Sequence, residues 1–201
     1  MPMPSRLPTE VRQAEIVMAA LHLAREVSPA LITTTDIAAA VGVTQGAVFK
    51  HFATKDAIWL AAMAWVKEEL SSALEAAASA QVSPIAALGA VFKAHIDFVL
   101  THPSVPRLIF HELQRPADSP IKQEVRTLLK TYRRLLRRLL DAAAIRGEVS
   151  REVDLDAAAT LFVGVVQGLV MQSMVAGNAA SMKAQADLVF AIYRRGICGA
   201  R

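Results

Sequence analysis

Apolar residues recur along this chain at the three- and four-residue spacing that is typical of amphipathic helices. No segment alternates apolar and polar residues between hairpin turns, so strands are not expected. Proline, glycine and capping residues interrupt the helical pattern, which predicts an all-α protein with about nine helices. The predicted helices span residues 8–27, 34–41, 45–51, 55–80, 84–100, 107–114, 121–146, 155–176 and 181–197.

The second and third predicted helices are too short to be stable alone, because helix nucleation costs more than so few hydrogen bonds return. The run Thr33-x-x-Asp36 has the form of a capping box. Gly42 can end the second helix, and Thr44 can cap the third. Apolar residues on both helices and in the turn can form a core with the first helix, which predicts a helix-turn-helix. They are Ile37, Ala38, Val41, Val43, Val48 and Phe52.

The run TDIAAAVGVTQGAVFKHFATKDAI (35–58) resembles the signature of the TetR family of bacterial transcriptional repressors. The close match covers about residues 10–60, and the rest of the chain agrees in length and in number of helices. The resemblance implies a helix-turn-helix DNA-binding domain at residues 1–56. It also implies an all-α domain at residues 57–201 that binds a small-molecule effector and dimerises.

The resemblance, carried over position by position, assigns DNA contacts to the helix-turn-helix. The threonines that open the second helix would contact phosphates, where the helix N-terminus adds free amides. The first residues of the third helix would face base edges in the major groove. Gln45 is the best candidate reader, because its amide can pair bidentately with adenine. The implied DNA-contacting residues are Thr34, Thr35, Thr44, Gln45, Gly46, Ala47, Phe49, Lys50, His51 and Lys55.

One of these positions departs from the family pattern. The family usually has tyrosine where this chain has Phe49, and phenylalanine has no hydroxyl that could bind a phosphate. The ring can still pack against a sugar or a thymine methyl. Whether Phe49 keeps a role in DNA contact is therefore left open.

The net charge of +4 is unevenly distributed. Residues 1–60 carry five Lys/Arg and five Asp/Glu, whereas residues 107–151 carry eleven and five. In the segment KTYRRLLRRLL (130–140), the basic residues share one helical face and the leucines the other. Such a helix can bind a membrane or nucleic acid. A solvated face is favoured, because long charged side chains shield the apolar surface beneath them.

The segment AAATLFVGVVQGLVMQSMVAG (157–177) is apolar enough to pass for a membrane span, and Gly164 and Gly168 match a membrane packing motif. Its polar residues, and the lack of tryptophan or tyrosine at its ends, argue against a span. In the resembled family the last two long helices form a dimeric four-helix bundle. The resemblance therefore implies a homodimer through the last two helices and no contact with a membrane. Such a dimer would place the recognition helices about 34–36 Å apart, one turn of DNA.

An effector site is expected among the helices of residues 85–175. Apolar walls with a few polar groups are typical of such cavities. The chain has no spacing typical of a zinc or di-iron site, so no metal is expected. It also lacks a phosphate loop, a nucleophile elbow and a Rossmann fingerprint, so neither an enzyme nor a cofactor is expected. The candidate pocket residues are His95, Phe98, Phe110, His111, Gln114, Tyr132, Gln167, Met171 and Met174.

A single cysteine, Cys198, excludes an internal disulfide, and the first 13 residues lack the apolar core of a signal peptide. A cytoplasmic protein is therefore expected. The predicted function is a ligand-responsive transcriptional repressor, released from a palindromic double-stranded DNA operator by a small molecule. The alternative is a membrane-associated or metal-binding helical sensor without sequence-specific DNA binding. The operator, the effector, the regulated genes and the choice between repression and activation stay open.

Overall fold

The computed structural model describes residues 8–198, and within this range the chain forms nine α-helices and no strands. The all-α prediction is therefore confirmed. The expectation about a signal peptide falls largely on residues 1–7, which lie outside the described residues. The helices are α1 (Thr9–Leu23), α2 (Thr34–Val41), α3 (Gln45–Phe49), α4 (Lys55–Ser79), α5 (Pro84–Thr101), α6 (Ser104–Gln114), α7 (Pro120–Ile145), α8 (Leu155–Ala176) and α9 (Ala179–Cys198).

The described chain separates into two compact units, each made of two stretches of sequence. The first unit contains the residues up to Lys67 together with Pro103–Val125. The second contains Glu68–His102 together with the residues from Arg126 onward. Helices α4 and α7 each contribute residues to both units. The division by function into residues 1–56 and 57–201 stays a prediction.

Two helices end at least two residues earlier than their sequences predict. Helix α1 ends at Leu23, because the amides of Arg25 and Glu26 bond three residues back instead of four, to the carbonyls of His22 and Leu23 at 3.1 and 3.2 Å. Helix α3 ends at Phe49, and His51 N likewise donates three residues back, at 2.9 Å. The terminal turns of helices commonly tighten in this way.

The core of each unit comes from apolar faces that the helical spacing predicts. In the first unit, α1, α2 and α3 pack together over fully buried side chains. In the second unit, α5, α8 and α9 pack around Phe162, which is also fully buried. The fully buried residues contributed by α1, α2, α3 and the start of α4 are Ile16, Ala20, Ile37, Val48 and Ile58.

Helices α5 and α8 are long and apolar enough to cross a membrane by length and composition alone. In the most apolar 18-residue stretch of each helix, 44% of α5 and 39% of α8 is buried inside the protein. Core helices of soluble proteins have the same composition. The two helices are therefore weak evidence for a membrane and do not favour the membrane-associated alternative.

Candidate nucleic-acid interface

Helix α2 is fixed at both ends by its local sequence. Thr33 N donates to Asp36 Oδ2 at 2.8 Å, and Asp36 N donates to Thr33 Oγ1 at 3.1 Å, which completes the predicted capping box. The hydrogen bonds from the Thr33 hydroxyl and backbone hold the pKa of the Asp36 carboxyl below its usual value. At the other end, Gly42 has a φ of 75°, a left-handed conformation that other residues rarely adopt. The turn into α3 is thus set by the residues predicted to set it.

Helix α3 begins at a second threonine cap, since Thr44 Oγ1 accepts from Ala47 N at 3.2 Å. Five residues cannot sustain a helix in isolation. Tertiary packing supplies the support, because Val48 is fully buried and Phe52 is 8% exposed. The inward face of α3 is therefore anchored, and its first turn faces outward.

The ten predicted DNA-contacting residues all lie on or beside α2, α3 and the start of α4. Six are exposed and four are half-buried. Phe49 is unusual among the exposed ones, because 46% of a large apolar side chain is open to solvent. The exposed residues are Thr35, Thr44, Gln45, Gly46, Phe49 and Lys50, and the half-buried ones are Thr34, Ala47, His51 and Lys55.

The side chain of Gln45 is held in place across the turn. Its Nε2 donates to Thr34 Oγ1 at 2.7 Å. An amide nitrogen carries two hydrogens, so one N–H and the carbonyl Oε1 are left for another partner. These are the two groups that a bidentate contact with adenine requires. Thr34 therefore orients the amide of Gln45 as well as opening α2.

Lys55 forms hydrogen bonds within the protein that the sequence did not predict. Its ammonium donates to the carbonyls of Ala30 and Ile32, at 3.1 and 2.9 Å. The loop before α2 is thereby tied to the first turn of α4, whose N-terminus is capped by Thr54. The predicted phosphate contact of Lys55 stays a prediction, and the ammonium also has this structural role.

His51 is half-buried just beyond α3. Its backbone carbonyl accepts from Gln13 Nε2 at 3.2 Å, which links the end of α3 to α1. Its ring Nδ1 is buried and makes no hydrogen bond within the described part of the chain. The sequence alone did not reveal that Gln13 supports the end of α3 or that Thr34 holds Gln45, because the bonded residues are 38 and 11 positions apart.

The nine candidate pocket residues are divided between the two units. Phe110, His111 and Gln114 belong to the first unit, and the other six belong to the second. In the first unit, His111 and the buried Glu112 line a cavity of about 200 Å³. In the second, three predicted residues on α8 are exposed: Gln167, Met171 and Met174. Their role as pocket residues stays a prediction.

His95 and Tyr132 do come together, in an aromatic cluster of the second unit. The His95 Nδ1 and Tyr132 Oη atoms lie 3.2 Å apart, and Tyr132 stacks edge-on against Phe162. Burial lowers the pKa of His95 to about 4 and raises the pKa of Tyr132. Tyr193 also packs edge-on against Phe162, and its hydroxyl donates to the Ala158 carbonyl at 3.1 Å. The cluster thus combines apolar rings with the polar groups of His95, Tyr132 and Tyr193.

The depressed pKa of His95 makes the stability of the protein depend on pH. The unfolded chain binds a proton at His95 near pH 6.5, whereas the folded chain does so near pH 4. Stability from this group is therefore full above pH 6.5 and is lost as the pH falls toward 4, by up to about 3 kcal/mol. His95→Gln, which keeps a polar partner for Tyr132, is expected to flatten this pH dependence in urea titrations at pH 7 and 5. His22→Gln, at an exposed histidine of α1, is the control and should behave like the wild type.

An apolar surface covers the outer side of α8 and α9. A groove of about 540 Å³ in this surface is lined by residues of both helices and of the segment before α8. Gly164 and Gly168 have open space where a side chain would point. Monomeric proteins rarely expose a contiguous apolar patch of several large side chains. The exposed apolar residues on these helices are Leu161, Met171, Met174, Val175, Leu188 and Ile192.

Among the described residues, no three histidine, cysteine, aspartate or glutamate side chains are grouped as metal ligands would be. His95 lies with aromatic residues, and His102 stacks against Phe98 at 4.7 Å. His111 lines the cavity of the first unit. These three histidines of residues 95–111 thus have different surroundings.

Two family models match this chain. The model of bacterial regulatory proteins of the tetR family matches residues 16–62. The model of the tetracyclin repressor-like C-terminal domain matches residues 115–188. One curated relative, the nucleoid occlusion factor SlmA of Shewanella pealeana, is 21% identical over 81% of this chain and 83% of its own length.

Solved structures with the same fold cover almost the whole chain. The transcriptional regulator FadR from Bacillus subtilis, in complex with stearoyl-CoA, has a TM-score of 0.80 and 18% identity, over 92% of this chain and 98% of its own. The ketosteroid transcriptional regulator KstR2 of Mycobacterium tuberculosis has a TM-score of 0.77 and 20% identity, over 94% of this chain and 96% of its own. At these identities the likeness shows the fold, with a helix-turn-helix followed by a helical domain.

Proposed function

This chain belongs to the tetR family of bacterial regulatory proteins, and from that premise we propose that it is a homodimeric repressor that reads a palindromic operator with α3. It is a ligand-responsive, DNA-binding transcriptional regulator. The observation that carries the proposal is the geometry of α3. Its inner face is anchored by Val48, while Gln45 is exposed and held by Thr34 at 2.7 Å.

We assign direct reading of bases to the first turn of α3. A bidentate contact between Gln45 and adenine discriminates against other bases by about 1–3 kcal/mol. Gly46 supports a close approach of the backbone to the groove, because a side chain there would meet only the Thr44 hydroxyl, at 4.0 Å. Thr35, Lys50 and the helix N-termini supply contacts to phosphates, which position the protein without reading sequence.

The apolar surface of α8 and α9 is assigned to the dimer. Two-fold homodimers are the commonest oligomers, and a two-fold interface uses the same surface of both chains. The exposed large side chains and the open positions at Gly164 and Gly168 favour close packing of a second copy here. Such a dimer presents two copies of α3 to two half-sites one DNA turn apart.

The effector is assigned to the second unit, near the aromatic cluster of His95 and Tyr132. FadR from Bacillus subtilis binds stearoyl-CoA, and KstR2 is a ketosteroid regulator. A largely apolar molecule with one polar group suits the cluster in this chain, because aromatic rings surround two groups that can form hydrogen bonds. Release from DNA requires that this molecule bind the free state more tightly than the DNA-bound state.

The test is selection of bound duplexes from a random pool, followed by a screen for compounds that release them. We expect a near-palindrome with an adenine at the same position of each half-site, and release by an apolar compound. Failure to enrich any sequence at moderate salt would refute sequence-specific reading. The protein is proposed to act in the cytoplasm and by binding alone, without catalysis.

A further inference from the structure

A groove of about 410 Å³ runs along the exposed face of α7, within the second unit. Five cationic side chains line this α7 groove, and Asp156 is the one carboxylate among its lining residues. Because a helix rises about 1.5 Å per residue, the cationic row extends over about 16 Å. The five are Arg126, Lys130, Arg133, Arg134 and Arg137.

The row keeps much of its positive charge. Arg137 is held by carboxylates, at 3.1 Å from Asp141 and 2.8 Å from Asp156. Lys130, at the middle of the row, pairs with no carboxylate of residues 8–198. Two others donate to uncharged hydroxyls, Arg133 to Thr160 at 2.7 Å and Arg134 to Thr131 at 3.2 Å.

The spacing of the row is unfavourable for the helix itself. Lys130 lies four residues from Arg126 and from Arg134, and like charges at this spacing destabilise a helix. Natural proteins break such local rules mainly at functional surfaces. We propose that the α7 groove binds a small molecule that carries a chain of phosphate groups.

Phosphate groups fit the chemistry of this row. Guanidinium groups form paired hydrogen bonds with phosphate oxygens, and a lysine ammonium adds a point charge between them. The row is longer than a single phosphate, so the ligand carries several. The groove has the volume of a small-ligand pocket, and Leu129 offers apolar surface at its side for the rest of the molecule.

Acidic side chains border the row and favour a short ligand over a nucleic acid. Asp156 is 83% exposed beside Arg137, and Asp141 lies on its other side. The next cation along α7, Arg138, is occupied by Glu75 at 2.6 Å. A long polyanion that continued along the groove past Arg137 would meet these carboxylates, whereas a short chain of phosphates held by Lys130, Arg133 and Arg134 ends before them.

The experiment measures binding of adenosine triphosphate and of inorganic tripolyphosphate to the full chain, by calorimetry at fixed ionic strength and without divalent cations. Both are expected to bind one site per chain and to raise the thermal midpoint. Lys130→Gln and Arg134→Gln are each expected to weaken binding about tenfold, since each removes a charge-assisted contact. No binding by the wild type, or unchanged binding by both variants, would overturn the proposal.

Arg138→Gln is the matched control, because it removes a cation from the same helix outside the groove. It should bind both probes within about twofold of the wild type. An equal loss in Arg138→Gln would show that general charge, and not the groove, attracts the probes. Loss of binding to operator-free duplex DNA in the two groove variants would instead indicate a nucleic-acid surface and would also contradict the proposal.

The proposed operator binding and the proposed α7 groove fail separately. Without added phosphates, Lys130→Gln and Arg134→Gln should bind the selected operator like the wild type, because neither residue belongs to α2, α3 or the start of α4. If wild-type protein binds no operator but binds tripolyphosphate in a Lys130-dependent way, the groove stands and the reading function falls. If the wild-type protein binds the operator but not tripolyphosphate, the proposed regulator is supported and the proposed ligand site in the α7 groove is refuted.

Discussion

Ile192→Glu is expected to turn the proposed dimer into monomers and to weaken operator binding at least about a hundredfold, because it places an unpaired carboxylate in the proposed interface. Ile192 is 61% exposed in the single chain, within the apolar surface of α8 and α9. In a two-fold dimer each interface receives two new carboxylates, one from each copy. Burying an unpaired charge costs several kcal/mol, and every 1.4 kcal/mol is a factor of ten in affinity.

Operator affinity is expected to fall when the proposed dimer dissociates, because one dimer would bind the two half-sites together. Binding of one copy of α3 makes binding of the other intramolecular, so the pair holds DNA far more tightly than either copy alone. A monomer keeps its folded helix-turn-helix and loses only this linkage. The remaining affinity should therefore resemble binding to a single half-site.

Sedimentation and gel-shift titrations measure the two effects on the same preparations. Val82→Glu is the control, since Val82 is 91% exposed between α4 and α5 and lies outside the α8 and α9 surface. It should remain dimeric and bind the operator normally. Circular dichroism distinguishes dissociation from unfolding. A dimeric, operator-binding Ile192→Glu protein would show that the subunits meet elsewhere.

Features with local causes were predictable from the sequence. The capping box of Thr33 and Asp36 and the turn at Gly42 formed as predicted, because each is decided by residues within one turn of the helix. The early end of α1 was not predicted. The sequence identifies Pro29 as the residue that stops a helix, but the chain had already tightened into a turn after Leu23.

Contacts between distant residues had no signal in the sequence. Gln45 and Thr34 are separated by 11 positions, and Lys55 and Ala30 by 25. Periodicity shows which face of a helix is apolar, but it does not distinguish a core from a partner surface. Helix α8 is apolar nearly all round, and only the structure shows that Phe162 is buried while Leu161 is 55% exposed. The position of an effector site among such helices therefore needs the fold.

Gln45→Ala is expected to relax the preference for one base in each half-site, with a loss of about 1–3 kcal/mol of discrimination per half-site. Thr34→Val should relax the base preference in part, because it removes the hydroxyl that orients the Gln45 amide. Valine has almost the same shape as threonine, so little else changes. Thr34→Ser keeps a hydroxyl and should restore the preference. Titrations against operators substituted at each position would measure these effects.

Lys50→Ala provides the contrast, since Lys50 is exposed at the end of α3 and is assigned to the phosphate backbone. It should weaken binding to all duplexes alike and lower the salt dependence, without changing base preference. If Thr34→Val weakened all sequences uniformly, as Lys50→Ala should, then Thr34 would act on phosphate and not through Gln45. If Gln45→Ala kept the base preference, Gln45 would not be the residue that reads the base. No other exposed residue in the first turn of α3 has a side-chain amide that could take its place at adenine.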